Sequence, residues 1–561
     1  MESSDARPWS ARRCWVVSFL LFAMLAGSWS LASPLFSAPD EPAHVINAAA
    51  VVRGQLLPPH DGGVSQVRVP AVYASAYAVP ACFAFKATVP ADCAPGLTGS
   101  TTDVVVGTTA GRYPPLYYAV VGLPTLVAPP KQAVYLMRLI SILLCAGFLA
   151  GALSAAASAR RPRLLVLGVA VAVTPMVLFL AGAVNPNSLE IAAAVCLWVC
   201  GLVLVGRPPA AAVPGLVSGL GASACVLVLT RALSPVWLAC IGAVVLLLAG
   251  WSQLVELWRR PDVRRCVVAI VATSVVAMLW IYYAGTNAVD TTTRPYPLAG
   301  PAGLRASLNN TDWSLHQMVG IFGWLDAPAA PLSYYFWFFA IGLLLLLALA
   351  AASPRSRLAL IGLCAACVLL PVALESRVAP YLGLVWQARY TMPIAVGVPV
   401  LAAYAGTQLL QPARGEFGRP PVDALLPRLS ATVVTVLAIA HVAAFLSALR
   451  RYTVGAGLTH KLDLFSGPWQ PPLTAAGVSA LFGLAVLGYG AWLLRLGRPA
   501  RPSRLPLPLP RRWTRRCLPE RSVDHGVEPT RRRGMRPVSG HVRGSAVQEE
   551  GKGCGRRRRA G

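Results

Sequence analysis

The stretch PLFSAPDEPAHVINAA, residues 34–49, sets Asp40 and Glu41 between prolines directly after a long apolar run. From Pro42 the chain has the spacing of a short helix, with Val45, Ala48, Ala49 and Val52 on one side and Gly54 as its stop. Asp40, His44 and Asn47 recur at i, i+4 and i+7, so one face presents a carboxylate, an imidazole and an amide together. Two readings of that face stand side by side. In one, Asp40 caps the helix, Pro42 fills its first turn and Glu41 favours the helix dipole. In the other, a carboxylate restrained by prolines takes the proton of an acceptor hydroxyl as a sugar is transferred to it.

Such a transfer needs cations to receive an anionic leaving group, and arginines stand where loops leave the apolar runs. Arg231 lies between two runs, Arg377, Arg389 and Tyr390 belong to ESRVAPYLGLVWQARY, and Arg450 and Arg451 belong to ALRRYTVG. Guanidinium forks match phosphate oxygens; the competing reading is that these arginines snorkel or pair with a carboxylate such as Glu375. Asp326 in GIFGWLDAPAAP either contacts an acceptor or ends a turn. In NPNSLEIAA, Asn187 reads as a helix cap with Glu190 reaching back to it. Asn309-Asn310-Thr311 fits a glycosylation sequon, a pattern too short to weigh. The sequence contains no Gly-rich phosphate loop, paired-cysteine metal motif or nucleophile elbow.

The bilayer dictates what positions these residues. At 56% hydrophobic and 13% charged over 561 residues, with repeated apolar runs, the chain reads as a multi-pass membrane protein. Lipid-exposed irregular backbone is not tolerated and charges in lipid are costly, so the expected fold class is all-α. Apolar runs fall near 14–36, 132–158, 164–184, 189–206, 212–230, 234–251, 266–284, 334–352, 357–375, 391–411, 429–449 and 473–494, twelve spans in all. Arg7, Arg12 and Arg13, then arginines at 160–163, 259–265, 355–357 and 414–428, occupy alternate loops, which puts both termini in the cytoplasm. The segment 113–130 is read as re-entrant or interfacial, with its three tyrosines in the headgroup layer, since a thirteenth span would invert every later loop. The first run reads as an uncleaved anchor, because its apolar stretch is long for a signal and the nearest small-residue site, FSA, is followed by proline.

The organisation is then a cytoplasmic N-terminus over 1–13, a transmembrane domain over 14–496 and a basic, disordered cytoplasmic tail over 497–561. Large exterior loops span 37–131 and 285–333. The tail holds 18 Lys/Arg against 5 Asp/Glu, about half of the net charge of +27, and its Pro/Arg-rich composition fits attraction to anionic headgroups in place of nucleic acid. Most of the 13 cysteines lie inside apolar runs; only Cys82 and Cys93 share an exterior loop, where an oxidising compartment predicts a disulfide.

The segments APDEPAH, GRYPPLYYAVVGLP (111–124), NPNSLE, GIFGWLDAP (320–328), WQARYTMP (386–393), RRYTVG and GPWQPP (467–472) together resemble the bacterial family of predicted membrane proteins of unknown function 2142, over about residues 15 to 495. The composition is similar to that of actinobacterial proteins. The layout in turn resembles the membrane glycosyltransferases of the C-type fold. That resemblance implies a bacterial plasma-membrane protein with a polyprenyl-phosphate sugar as donor substrate, a cell-envelope acceptor on the exterior face, and inversion at the sugar. By that resemblance Asp40 is the base with Glu41 second; the reading of the residues adds His44 and Asn47 as orienting or acceptor-binding neighbours, Arg389 with Arg450 or Arg451 as the polyprenyl-phosphate site, and Asp326, Arg377 and Tyr390 as further substrate-binding residues. Asp40 and Glu41 are adjacent and form no DxD-type pair, which argues against a divalent metal, and no other cofactor is implied. Two rival classes remain open: a transporter or flippase for an envelope lipid or polymer, and a non-catalytic assembly factor.

Overall fold

The structure, a computed structural model, describes residues 10–497 except 62, 287, 290, 292–294, 408–420 and 458–462. The tail beyond Gly497, with Arg7, Arg414 and Arg419, lies outside the described residues. The first helix, α1 (Ala11–Ala32), starts at Ser10, whose hydroxyl accepts the Arg13 N–H. A short break leads to α2 (Glu41–Val51), which is buried along its whole length. The loop that follows carries β1 (His60–Asp61), β2 (Val64–Pro70), α3 (Ala71–Ala74), β3 (Asp103–Thr108) and α4 (Leu116–Val121). The three strands form an antiparallel sheet with β2 at the centre, pairing Ser65 with Thr108 through to Pro70 with Asp103. This sheet corrects the purely helical expectation; its signal is the period-two alternation of VSQVRVP, whose inward residues are buried and outward ones exposed.

Long apolar helices then take over: α5 (Pro130–Ser158), α6 (Pro162–Ala172), α7 (Pro175–Ala181), α8 (Pro186–Val205), α9 (Val213–Val228), α10 (Ser234–Leu248), α11 (Trp251–Trp258) and α12 (Pro261–Ala284). After α13 (Pro301–Asn309) and α14 (Thr311–Gly320), a two-stranded hairpin of β4 (Ile321–Phe322) and β5 (Ala327–Pro328) leads into α15 (Pro331–Ala351) and α16 (Pro354–Leu382). The order closes with α17 (Met392–Ala395), α18 (Gly397–Gly406), α19 (Pro421–Thr453) and α20 (Thr474–Leu496). Among the described residues nine helices are long and apolar enough to cross a membrane, or up to eleven if each of two bent pairs counts as one span. The twelve expected runs differ from this count at three places. Of the run at 391–411 the described residues form the apolar helix Met392–Gly406, and 408–411 lie outside the described residues. The run at 164–184 is broken by 64° between α6 and α7. Pro175 has no N–H and drives Thr174 into extended backbone (φ −71°, ψ 165°), and the Thr174 hydroxyl then donates to Met318 O at 2.7 Å. The run at 234–251 turns by 114° into α11.

Small residues and aromatic rings make the helix contacts, as they must where lipid gives no apolar driving force. A methyl group on Gly168 would lie 2.6 Å from Ala403 Cβ and 2.9 Å from Pro399 O, so α6 and α18 touch almost backbone to backbone. Trp29 of α1 is 1% exposed and packs on Phe179, Phe322, Phe445 and Phe482 at 4.7–6.1 Å between ring centres. The segment 113–130 does not cross: α4 is six residues long. Tyr117 and Tyr118 are buried, where α4 packs against α2 and α5. The expected exterior loops do gather at one end of the bundle. Trp324 Nε1 donates to Phe36 O, Arg112 to Gly285 O, and Ala456 N–H to Ala87 O. At the other end Arg160 donates to Arg207 O and Arg163 to Gly497 O.

One tie fixes the break between α1 and α2. Arg138 of α5 is fully buried, and all five of its N–H groups are used. Nε and Nη2 grip Glu41 at 2.7 and 2.6 Å, Nη1 donates to Ser30 O and Ser33 O, and Nη2 also donates to Pro34 O. The other side of Glu41 Oε1 receives the Val184 N–H at 3.0 Å. Removing one partner leaves a buried charge unpaired, so Arg138→Met is expected to cost about 3–5 kcal/mol. Unfolding of the detergent-purified protein checks this; the pair Glu41→Gln/Arg138→Met should recover part of the loss. An unchanged Arg138→Met would show that the tie is dispensable.

Candidate functional site

Asp40 stands at the N-cap position of α2 but makes no capping bond. Its backbone is left-handed, at φ 62°, a conformation costly for a residue with a Cβ. This corrects the capping reading: the carboxylate turns away from the helix and meets the Arg389 guanidinium, 349 residues later in the chain. The Asp40 side chain is 40% exposed and that of Arg389 only 4%. Arg389 Nη2 donates to Asp40 Oδ2 and also reaches the Tyr390 hydroxyl at 3.3 Å. Its Nε and Nη1 are buried without a partner among the described residues.

The loop between α16 and α17 that carries Arg389 is held from below. Glu375 accepts the Trp386 N–H at 2.8 Å, the Trp386 indole donates to Thr391 Oγ1 at 2.9 Å, and Gln317 of α14 accepts the Ala388 N–H at 3.0 Å. Glu375 thus supports the arginine loop in place of pairing with an arginine. Arg231, in the turn between α9 and α10, brings a second cation. Its guanidinium lies 4.6 Å from the Tyr113 ring centre and 5.0 Å from that of Tyr390, and its Nη1 donates to Asn187 Oδ1 at 3.1 Å. Asn187 in turn donates to Glu190 Oε2 at 3.1 Å, and Ser234 donates to Glu190 Oε1 at 2.7 Å. The expected cap is therefore shifted: Asn185 caps α8 through its side chain, and Asn187 with Glu190 orients Arg231.

His44 shares a 2.9 Å hydrogen bond with the Tyr118 hydroxyl and is 2% exposed. Burial pushes its imidazole down to about 3, with Arg231 and Arg389 adding to the effect and Asp40 opposing it. His44 is thus a neutral, fixed neighbour. Asn47 donates to Ala110 O at 3.0 Å and leaves Oδ1 buried without a partner. At Asp40 itself, burial pushes the carboxyl up, but the Arg389 and Arg231 cations outweigh it and hold the group below the usual carboxylate range.

Other expected residues lie outside this cluster. Glu41 has both oxygens committed to Arg138 and Val184, which corrects its expected share in the reaction: it is a structural anion. Arg451 was expected at the lipid phosphate. It is instead 2% exposed and donates to Val89 O, Phe83 O and Asp326 Oδ2 at 2.6–2.8 Å. Asp326 also accepts the Trp324 N–H, so it holds a turn and is not open to substrate. Arg450 donates to Gly457 O, and Arg377 is exposed on α16. Cys82 and Cys93 form a disulfide within the loop that Arg451 pins down. Sequence reasoning missed Tyr113 as a partner of Arg231, although an arginine against the prevailing charge asymmetry was the signal for Arg231 itself. Among the described residues no group of three His, Cys, Asp or Glu side chains is placed to hold a metal ion.

A family model described as "Predicted membrane protein (DUF2142)" matches residues 21–398. No curated protein sequence matches the chain. Among solved structures, ArnT from Cupriavidus metallidurans in the apo state is similar at 16% identity and a TM-score of 0.38, covering 88% of this chain and 78% of that one. The same protein bound to undecaprenyl phosphate is similar at 16% identity and a TM-score of 0.37, covering 87% and 77%.

The buried imidazole has a consequence for stability. Unfolded His44 takes up a proton near its ordinary value of about 6.5, while the folded protein does not until about 3. Its contribution is therefore present above pH ~6.5 and is lost as pH falls below it. His44→Gln is expected to flatten the decline in melting temperature between about pH 6.5 and 5, measured on the detergent-purified protein; an unchanged slope would mean that His44 is protonated in the fold.

Proposed function

We propose that this chain, which belongs to the DUF2142 family of predicted membrane proteins, moves a sugar from a polyprenyl-phosphate donor to a hydroxyl of a cell-envelope acceptor on the exterior face of a bacterial plasma membrane. The observation that carries the reading is a half-exposed carboxylate set against a buried guanidinium that has two unused N–H-bearing nitrogens. Leaving such nitrogens without partners in a dry site costs free energy, and a phosphate oxygen satisfies them. Arg231 adds a second positive charge, with Tyr113 and Tyr390 as walls.

In the proposed reaction the acceptor O–H gives its proton to the Asp40 carboxylate as the acceptor oxygen bonds to the anomeric carbon. The bond from that carbon to the phosphate oxygen breaks, and its electron pair leaves with the polyprenyl phosphate, whose charge Arg389 and Arg231 carry. Attack opposite the leaving group inverts the sugar. His44 and Asn47 shape the wall of the site, and Glu41 with Arg138 holds Asp40 in place.

A transport reading is favoured by one observation. His441, buried in α19, meets Trp337 edge to face at 4.9 Å between ring centres, and the Trp337 indole donates to Val171 O beside the α6–α7 break. Broken helices beside an ionisable group are a feature of transporters. The two readings part at Asp40. Under the transferase reading Asp40→Asn is expected to lower transfer by about 10²–10⁴-fold while the protein still folds, because the asparagine Oδ1 can keep the Arg389 Nη2 hydrogen bond; the lost ion pair lowers the melting temperature without unfolding the protein. Arg389→Lys, which loses the fork, should also impair transfer strongly. The measurement is the envelope glycan profile of a deletion strain carrying each variant. A wild-type profile with Asp40→Asn would turn the assignment towards transport.

A further inference from the structure

We infer that the Asp40–Arg389 pair is a latch, so that Asp40 becomes a free base only after an anionic phosphate has taken over the Arg389 fork, which makes the donor bind before the acceptor is deprotonated. The inference rests on the proposed transfer reading and concerns the regulation of the same site.

The reasoning starts from the shape of a guanidinium. It offers two bidentate edges to a phosphate, one formed by Nε with Nη2 and the other by Nη1 with Nη2. Nη2 belongs to both. In this structure Nη2 carries both contacts of Arg389, to Asp40 Oδ2 and to the Tyr390 hydroxyl, while Nε and Nη1 stand buried and unpartnered. Each edge is thus half vacant. A phosphate can take one Nε or Nη1 hydrogen bond unaided, but it completes neither bidentate edge without displacing Asp40 or Tyr390 from Nη2.

Charge pushes the exchange the same way. The groups facing Asp40 are Arg389 and Tyr390 from the loop before α17, Arg231 from the α9–α10 turn, His44 from α2, Tyr77 after α3 and Tyr113 before α4. Two of these are permanent cations, and His44 is neutral. With both arginines turned on it, the Asp40 carboxylate is a poor proton acceptor. A phosphate that draws off the Arg389 charge and adds its own negative charge removes that restraint, so the base strengthens only when there is a donor to react. The 40% exposure of the Asp40 side chain leaves it room to swing clear of Nη2, while Arg389, 4% exposed and with its loop pinned by Glu375 and Gln317, stays where it is. The acceptor O–H proton then moves to Asp40 as the anomeric carbon–oxygen bond to phosphate breaks, and the bond pair departs on the phosphate held by Arg389.

The test uses the full chain purified in detergent and a carbodiimide, which reacts with the protonated carboxyl, with Asp40 modification followed by mass spectrometry across pH. The midpoint of that profile reports Asp40 itself, whatever the ligand does to reagent access. Geranyl phosphate is expected to raise the midpoint by about 1–3 units, the usual size of an arginine's effect on a neighbouring carboxylate. Arg389→Gln should raise it similarly without ligand. If geranyl phosphate stabilises the protein against heating and the midpoint does not move, the latch is overturned while the donor site survives. If inorganic phosphate shifts the midpoint and geranyl phosphate does not, the latch is supported and the lipid donor of the proposed function is overturned. If geranyl phosphate does not bind, the donor reading fails, and the Arg389→Gln profile decides the latch: an unmoved midpoint there overturns it.

Discussion

The Arg138 guanidinium is the point on which the site depends. In a bundle where lipid supplies no water to satisfy polar backbone, the break between α1 and α2 exposes the carbonyls of Ser30, Ser33 and Pro34, and each must find a donor. Arg138 supplies all three and spends its remaining N–H groups on Glu41. Glu41 also takes the Val184 N–H, and Asn185 donates to Pro39 O at 3.2 Å. One buried cation therefore joins the end of α1, the start of α2, the first third of α5 and the α7–α8 turn. Asp40 sits inside that joint, which explains how an 11-residue helix with a left-handed residue before it can aim a carboxylate.

Adjacent carboxylates consequently do opposite work. Glu41 faces inward to an arginine whose every hydrogen bond is met, an arrangement that stores no demand for a ligand. Asp40, with its side chain 40% exposed, faces an arginine with two idle nitrogens, an arrangement that does. The distinction comes from satisfaction and not from charge: both pairs are Asp or Glu with Arg, and both arginines are almost wholly buried. A third pair, Arg451 with Asp326, resembles the first, because Arg451 spends most of its hydrogen bonds on the disulfide-bearing loop.

Much of the helical layout was legible in the chain, because apolar runs of bilayer length leave few alternatives to a spanning helix. The breaks were less so. Hydropathy averages over Thr174-Pro175 and over Gly250, so a bent helix and a straight one give the same run, and the strands around residues 64–70 and 103–108 were hidden inside a loop searched for spans. At the site, the periodicity that joined Asp40, His44 and Asn47 was readable, and arginines placed against the charge asymmetry marked Arg231 and Arg389. The partners of Arg451 and Glu41 were not, since nothing local distinguishes an arginine that closes a loop from one that waits for an anion.

The sequence by itself determined that the chain is a multi-pass helical membrane protein and that an acidic, proline-flanked turn follows its first helix, because both follow from the cost of placing charge and unpaired backbone in lipid. Only the tertiary structure decided which carboxylate is partly exposed and paired with an arginine that has nitrogens to spare. Asp40 and Arg389 are 349 residues apart, and hydrogen-bond satisfaction is a property of the assembled neighbourhood: Glu41 and Asp40 differ little as letters, and what separates them is the number of donors that the folded chain brings to each.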